Sequence, residues 1–204
     1  MKNSKSFLIK LFVVFALAML WSAVRPHDYF TWFLEVFPIF IALPILVFTY
    51  QKFPLTNLVY GLILMHAIIL MVGGHFTYAE FPLFNWLRDY FELSRNYYDR
   101  LGHFAQGLVP AIIAREILIR KNIVRGEHWQ FFIVCSICLA ISACYEFIEW
   151  WVAVASGQGA DAFLGTQGDV WDTQWDMFTA LIGSIAAQIF LKNWHNRSLH
   201  ELEA

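Results

Sequence analysis

The stretch GDVWDTQWDMFTALIGSIAA, residues 168–187, decides how the rest of the chain is interpreted, because carboxylates enter an otherwise apolar run there. A helix that begins at Asp172 carries Asp176 one turn later on the same face. That face continues with the small residues Ala180, Gly183 and Ala187. Because small residues let a neighbouring helix approach closely, the stretch predicts a tightly packed membrane helix with carboxylates at its N-terminal end.

Two earlier segments repeat this pattern of paired ionisable groups. Asp99 and His103 lie one turn apart in YDRLGHFAQG, and Glu146 and Glu149 lie about one turn apart in CYEFIEWW. Three helices with paired polar groups predict one polar site inside a bundle.

The composition places the chain in a membrane. Of its 204 residues 59% are hydrophobic and 15% are charged, and the mean hydropathy is +0.53, which is too apolar for an ordinary soluble domain. Six spanning helices of about 20 residues each would leave only short loops. The sequence therefore predicts an all-α fold with a single domain, residues 1–204, built from six transmembrane helices. The net charge of -2 and the absence of a Lys/Arg run exclude nucleic acid as a partner.

The apolar runs set the predicted order of elements. Spans are expected over residues 1–24, 30–50, 55–72, 98–115, 131–154 and 172–191. Between the third and fourth spans, apolar residues at helical spacing predict an interfacial helix over residues 81–93. The glycine-rich connection 156–168 is expected to be mobile, and the polar tail after residue 191 to be partly disordered.

Lys and Arg beside the spans predict the orientation. With the N-terminus inside, ten lie on the inner side and four on the outer side. This favours both termini in the cytoplasm, and Arg115 is interpreted as a topology charge beside an interfacial Glu116. In this topology the paired acids and histidines all fall at the outer face.

Ionisable groups in a bilayer point to a cation. Each costs about 2.5 to 3.5 kcal/mol on insertion scales, so several together must pair, bind a cation or line water. Carboxylates with one or two imidazoles suit Mg, Mn, Ca or Zn. The predicted metal ligands are His103, Glu146, Glu149, Asp172 and Asp176, and the predicted catalytic residues are Glu146, Asp176 and His103. Additional candidates are His75, Asp99, Asp169 and Glu35.

Structural roles remain as alternatives for these groups. Glu146 and Glu149 could be polar contacts between helices, and Asp169 or Asp172 could cap a helix. Asp99 could orient the ring of His103 from one turn away.

Three functional hypotheses follow. The first is a metal-dependent membrane hydrolase or transferase that acts from the outer face on a lipid or envelope-linked substrate. The alternatives are a cation- or proton-coupled transporter and a non-catalytic membrane scaffold. The sequence has no phosphate-binding G-x-x-x-x-G-K-[ST], no G-x-S-x-G and no H-E-x-x-H, which excludes P-loop pumps, serine esterases of the elbow type and zincins.

The motifs GGHFTYAEFP, YDRLGHFAQG, YEFIEWW and GDVWDTQWDM resemble the YjdF family of bacterial inner-membrane proteins, over essentially the whole chain. That resemblance implies a multi-pass protein of the inner (cytoplasmic) membrane whose function is not established.

The second half is similar, less closely, to the VanZ-like membrane proteins associated with glycopeptide-antibiotic resistance. Their pattern has Asp-Lys-x-x-His, then Glu-x-x-Gln, then Asp followed four residues later by Asn. Here Asp99 and His103 match, with Arg100 for the Lys. Glu146 and Asp172 also match, while Glu149 stands for the Gln and Asp176 for the Asn. The two added acids favour a cation.

Overall fold

The computed structural model describes residues 5–156 and 166–203, which contain helices and no strands. The eight α-helices in these ranges are α1 Lys5–Ala23, α2 Tyr29–Thr49, α3 Asn57–Phe76, α4 Pro82–Tyr90, α5 Tyr98–Arg120, α6 Glu127–Ser156, α7 Asp172–Phe190 and α8 Lys192–Glu203. A 3-10 turn, Tyr78–Glu80, joins α3 to α4. The predicted all-α class is confirmed. Most of the connection that was expected to be mobile, residues 157–165, lies outside the described residues.

Four of these helices are long and apolar enough to cross a membrane: α1, α2, α3 and α6. Helices α5 and α7 have a comparable length, with 23 and 19 residues. Their buried faces, however, carry ionisable and amide side chains as well as small apolar ones. They therefore contribute the polar interior of the bundle, which the four apolar helices surround in part.

Helices α5 and α7 form the most extensive contact between described helices. A Cβ atom at Gly107 would lie 1.8 Å from the carbonyl oxygen of Ala180, and one at Gly183 would lie 2.2 Å from that of Phe104. The two backbones therefore touch. The prediction that the small residues of α7 face a neighbouring helix is confirmed, and Ala187 is fully buried as well.

The remaining contacts divide the bundle into two groups. Helix α3 packs against α1 and α2, and α6 packs against both α5 and α7. The groups meet where α3 packs on α5. We call the end where α5 and α7 begin the acidic end, and the opposite end, where α8 follows α7, the α8 end.

At the acidic end, α2 begins with a capped turn. The Asp28 side chain accepts a hydrogen bond from the backbone N–H of Thr31 at 2.7 Å. This bond satisfies a free N–H of the first turn and lowers the pKa of Asp28 below its ordinary value. The cap fixes the direction in which α2 leaves the turn after α1.

Helix α4 lies between α3 and α5, where an interfacial helix was predicted. Leu83, Trp86 and Tyr90 recur at helical spacing and are all exposed. The opposite side of α4 carries Asn85, which binds the segment before α5. This amphipathic arrangement agrees with a helix at the surface of a membrane.

The tail after residue 191 is helical, so the expectation of partial disorder is wrong. His195 on α8 is fully buried. Its Nδ1 lies 2.7 Å from Nη1 of Arg115 and its Nε2 lies 3.1 Å from Oε2 of Glu116. Because a guanidinium only donates, Nδ1 accepts its hydrogen bond, and Nε2–H donates a hydrogen bond to the Glu116 carboxylate.

Glu116 joins α8 to α3 as well. It accepts hydrogen bonds from the hydroxyl and the backbone N–H of Thr56, at 2.7 and 3.0 Å, and from Arg120 at 2.9 Å. The predicted interfacial position of Arg115 and Glu116 stays a prediction, but neither side chain is open to solvent. Both side chains are buried because α8 folds over the end of the bundle and covers them.

Candidate functional site

His103 occupies the centre of a buried cluster at the acidic end. Its Nε2 lies 3.5 Å from Oδ1 of Asp99, 3.6 Å from Oδ1 of Asp176 and 3.8 Å from Oε1 of Glu146. These four residues come from α5, α6 and α7, and none is more than 8% exposed. Three helices thus direct carboxylate oxygens at one imidazole nitrogen.

The other ring nitrogen of His103 has a partner of its own. Nδ1 lies 3.1 Å from Oε1 of Gln106, which is one turn further along α5. An amide oxygen only accepts hydrogen bonds, so Nδ1 carries a proton. In the neutral ring, Nε2 then presents its lone pair to the carboxylates, which is the tautomer required for metal binding through Nε2.

The distances around Nε2 exceed those of hydrogen bonds, which are about 2.7 to 3.2 Å between heavy atoms. They are close to the separation of ligand atoms around one ion, since zinc–ligand bonds of about 2.0 to 2.1 Å in a tetrahedron place the ligands about 3.3 to 3.4 Å apart. Oε1 of Glu146 is buried and accepts no hydrogen bond from the described residues. An acceptor in that position can still bind a cation.

Two sets of three possible ligands share His103. One is Asp99, His103 and Asp176, and the other is His103, Glu146 and Glu149; within each set all the ligand atoms lie within 4.8 Å of one another. We call these five residues the His103 cluster. The structure therefore brings together four of the five predicted metal ligands, with Asp99 in addition.

Asp172, the remaining predicted ligand, lies in neither set. It pairs with Arg95, and its Oδ1 lies 2.6 Å from Nη2 of Arg100. Asp169 lies 3.5 Å from Arg95 and 3.4 Å from Arg100. We call Arg95, Arg100, Asp169 and Asp172 the arginine cluster.

The arginine cluster adjoins the His103 cluster. Arg100 pairs with Asp176, and Oδ2 of Asp99 lies 3.4 Å from Arg100 and 3.6 Å from Arg95. The guanidinium groups therefore offset part of the repulsion that the sequence alone assigns entirely to a bound cation. In the sequence, Arg95 counted only as a topology charge, and Arg100 counted as a topology charge and as the counterpart of the Lys in the VanZ-like pattern. The signal available in the sequence was their spacing from Asp99, because Arg95 lies four residues before it and Arg100 one residue after it.

Three further candidates lie beside the cluster rather than in it. His75 joins α3 to α1, because its Nδ1 lies 3.1 Å from the carbonyl oxygen of Ser22 and its ring stacks on Trp21. Glu35 is buried on α2 and pairs with Tyr78. Asp169 caps the turn before α7, where Oδ1 accepts a hydrogen bond from the N–H of Trp171 at 2.9 Å.

Asn96, which the sequence reasoning missed, fixes the segments around the site. Its amide donates to the carbonyl oxygen of Phe81 and to Oδ1 of Asn85, at 3.1 and 2.8 Å, and its Oδ1 accepts from the N–H of Tyr98. Its backbone N–H and C=O both bind the side chain of Gln167, each at 2.9 Å. One buried asparagine therefore holds α4, the start of α5 and the segment before α7 together.

A cavity of about 900 Å³ adjoins the His103 cluster. Its polar lining at the acidic end includes Tyr78, Asp99, His103, Gln106, Tyr145 and Glu149. His66, in the middle of α3, lines the cavity further along. The cluster is thus accessible from inside the bundle.

Comparisons with known proteins agree with this architecture. The family described as "Predicted membrane protein (DUF2238)" matches residues 7–197. The inner membrane protein YjdF of Escherichia coli (strain K12) is 55% identical over 183 residues, which are 90% of this chain and 88% of that protein. No solved structure matches the chain. The predicted resemblance to the YjdF family is confirmed, and the chain belongs to this family of predicted membrane proteins, DUF2238.

Proposed function

We propose that this protein is a membrane enzyme in which the His103 cluster binds one divalent metal ion. The observation that carries the proposal is the position of His103 Nε2, 3.5 to 3.8 Å from three buried carboxylate oxygens on three helices. Carboxylates this close repel one another and the lone pair of the imidazole. A cation at their centre removes that repulsion.

The proposed ligands are Asp99, His103, Glu146 and Asp176, with Glu149 available to the same ion from the second set. Asp99 replaces Asp172, which the arginines bind. An imidazole nitrogen beside carboxylate oxygens favours Zn or Mn over Mg or Ca, which prefer oxygen ligands alone.

A divalent ion in this site would supply Lewis-acid activation of water near neutral pH. The chain itself provides proton acceptors and a positive charge. Glu149 lines the cavity and is placed to accept a proton from a reacting group. Arg100 lies at the edge of the cluster, where a guanidinium stabilises negative charge that develops on a substrate oxygen. These groups suit hydrolysis or group transfer on a lipid or envelope-linked substrate.

The proposal includes six spanning helices, with α5 and α7 crossing beside the four apolar ones, in the bacterial inner membrane. Both termini lie in the cytoplasm, because Lys and Arg are concentrated at the α8 end and beside the first span. The His103 cluster then faces outward.

The test is elemental analysis of detergent-purified protein. Wild type should hold about one equivalent of a divalent metal, and His103→Ala, Glu146→Gln and Asp176→Asn should each lose it. Glu127→Gln is the control, since Glu127 is exposed at the start of α6 and pairs with Lys192 at the α8 end. Wild type without metal, and with an unchanged melting temperature after addition of Zn²⁺ or Mn²⁺, would overturn the proposal.

The cavity favours a cation- or proton-coupled transporter as the second candidate. It connects the acidic end with lining residues near the opposite end, among them Tyr50 and Lys121. In that case, proteoliposomes should show uptake or efflux that Glu146→Gln abolishes, without a stoichiometric metal. The apolar lining between the two ends makes this candidate the weaker one.

A further inference from the structure

The cavity is long. Along α5 its lining extends from Asp99 to Lys121, a distance of about 33 Å at a rise of about 1.5 Å per residue. This length is comparable with the thickness of the hydrocarbon core of a bilayer, which is about 30 Å.

The lining changes character along that length. At the acidic end it contains carboxyl, imidazole, amide and phenol groups, as described above. Beyond Gln106 the wall on α5 is apolar, with Val109, Pro110, Ile113 and Ile117. A ligand that fills the cavity must therefore have one polar end and one long apolar part.

The side of the cavity is open. Several lining side chains are also exposed on the surface of the bundle: Phe12 on α1, Ile45 and Val47 on α2, Ile117 on α5 and Ile141 on α6. On a protein in a bilayer, such an opening faces lipid. A chain can therefore enter sideways from the membrane, and no passage through water is needed.

We infer that the cavity binds an amphiphile with a long hydrocarbon tail, whose phosphate-type oxyanion head lies at the His103 cluster. The inference rests on the proposed function for the head group, because carboxylates bind an oxyanion only through a cation. Chain binding depends on the shape of the cavity and not on the metal. The two ideas can therefore fail separately.

Octadecyl phosphate is the probe, and its binding to delipidated wild-type protein is followed by native mass spectrometry. We expect about one bound molecule per chain, and affinity about tenfold higher than for hexyl phosphate, a difference of about 1.4 kcal/mol. Ala42→Phe narrows the cavity from α2, where Ala42 is an exposed lining residue. It should weaken binding of octadecyl phosphate about tenfold. Ala140→Phe is the matched control, because Ala140 is exposed on α6 and does not line the cavity.

Three results would overturn the inference. They are equal binding of octadecyl phosphate and hexyl phosphate to wild type, equal weakening by Ala42→Phe and Ala140→Phe, and a wild-type dimer that Ala42→Phe separates, which would show that a second copy covers the opening. The comparison of probes on wild type does not depend on any variant folding.

Repeating the titration in EDTA separates the two proposals. Chain binding that survives in EDTA, in a protein with no metal by elemental analysis, supports the cavity assignment and contradicts the metal site. Stoichiometric metal with no preference for octadecyl phosphate over hexyl phosphate supports the metal site and contradicts the cavity assignment.

Discussion

Oδ1 of Asp176 lies 3.6 Å from Nε2 of His103. The same oxygen accepts a hydrogen bond from Arg100, so it belongs to the contacts of both clusters. The positive charge of Arg100 on one side of Asp176 offsets part of the negative charge of this carboxylate. The carboxylate therefore attracts a cation on its other side less strongly. In the proposed metal site, the arginine cluster would therefore lower the affinity of the His103 cluster for a metal, and each cluster can be tested through the other.

Replacing Gln106 with Leu should weaken metal binding about 10- to 100-fold, because the ring of His103 loses the partner that fixes its tautomer. The measurement is competition for Zn²⁺ against a chelator of known affinity. Gln106→Glu, which keeps an acceptor for Nδ1–H, should retain most of the affinity. Equal losses in the two variants would contradict a positioning role for Gln106.

Replacing Arg100 with Met should lower the free energy of unfolding by about 3 to 5 kcal/mol, because Asp172 and Asp176 remain buried without their shared partner. Unfolding in detergent measures this loss. Added Zn²⁺ should restore part of the stability by neutralising the same carboxylates. Arg88→Met is the control, since Arg88 pairs with a largely exposed Asp89 and its loss should change the stability little.

Replacing Gly107 with Ala should destabilise the bundle by about 3 kcal/mol, because the new methyl group meets the backbone of Ala180 and forces α5 and α7 apart. Gly61→Ala provides the comparison. That glycine also lies within a helix but has no atom within 4 Å of the position of a Cβ, so alanine there should stabilise by about 0.5 to 1 kcal/mol. The melting temperatures should shift in opposite directions, and a shared direction would contradict the close contact.

Replacing Asn96 with Ala should free α4 from α5. Each polar partner left without a hydrogen bond costs about 1 to 3 kcal/mol when buried. Hydrogen exchange should therefore accelerate in residues 82–90, while α3 stays protected. Asn193→Ala, at an exposed position of α8, should leave exchange unchanged. Unchanged protection of α4 in Asn96→Ala would show that its apolar contacts suffice.

Replacing His195 with Ala should release α8 from the bundle, because Arg115 and Glu116 lose the ring that bridges them. The expected result is fast hydrogen exchange over residues 192–203 and a loss of about 3 kcal/mol in stability. His200→Ala, an exposed position on the same helix, is the control. If both variants exchange alike, α8 is held by other contacts.

The sequence predicted the helices well, because long apolar runs have few alternatives in a membrane protein. It also predicted that the acids and His103 lie at one end, since alternating directions of consecutive helices place them there. The close contact of α7 was predictable in part. Ala180 and Gly183, at helical spacing, indicated a face that a neighbouring helix approaches, although their spacing did not say that this helix is α5.

The polar partners could not be predicted in the same way. Arg95 and Asp172 are distant in the sequence, and nothing in the residue types distinguishes a pairing arginine from a topology charge. The fold of α8 was missed because its sequence is polar on most sides and its buried residues are few, namely His195, Ser198 and Leu199. Such contacts depend on tertiary geometry, which local spacing does not contain.

The two ends of the bundle differ in formal charge, and this difference makes the molecule an electric dipole along its axis. The acidic end holds more carboxyl groups than guanidinium groups, whereas the α8 end holds Arg115, Arg120, Lys121, Arg125, Lys192 and Arg197. A membrane potential acts on such a dipole with about 2.3 kcal/mol for each elementary charge moved through 100 mV. In the proposed orientation, with α8 in the cytoplasm, a membrane potential that is negative inside favours this placement, and a cation drawn inward would reach the His103 cluster first.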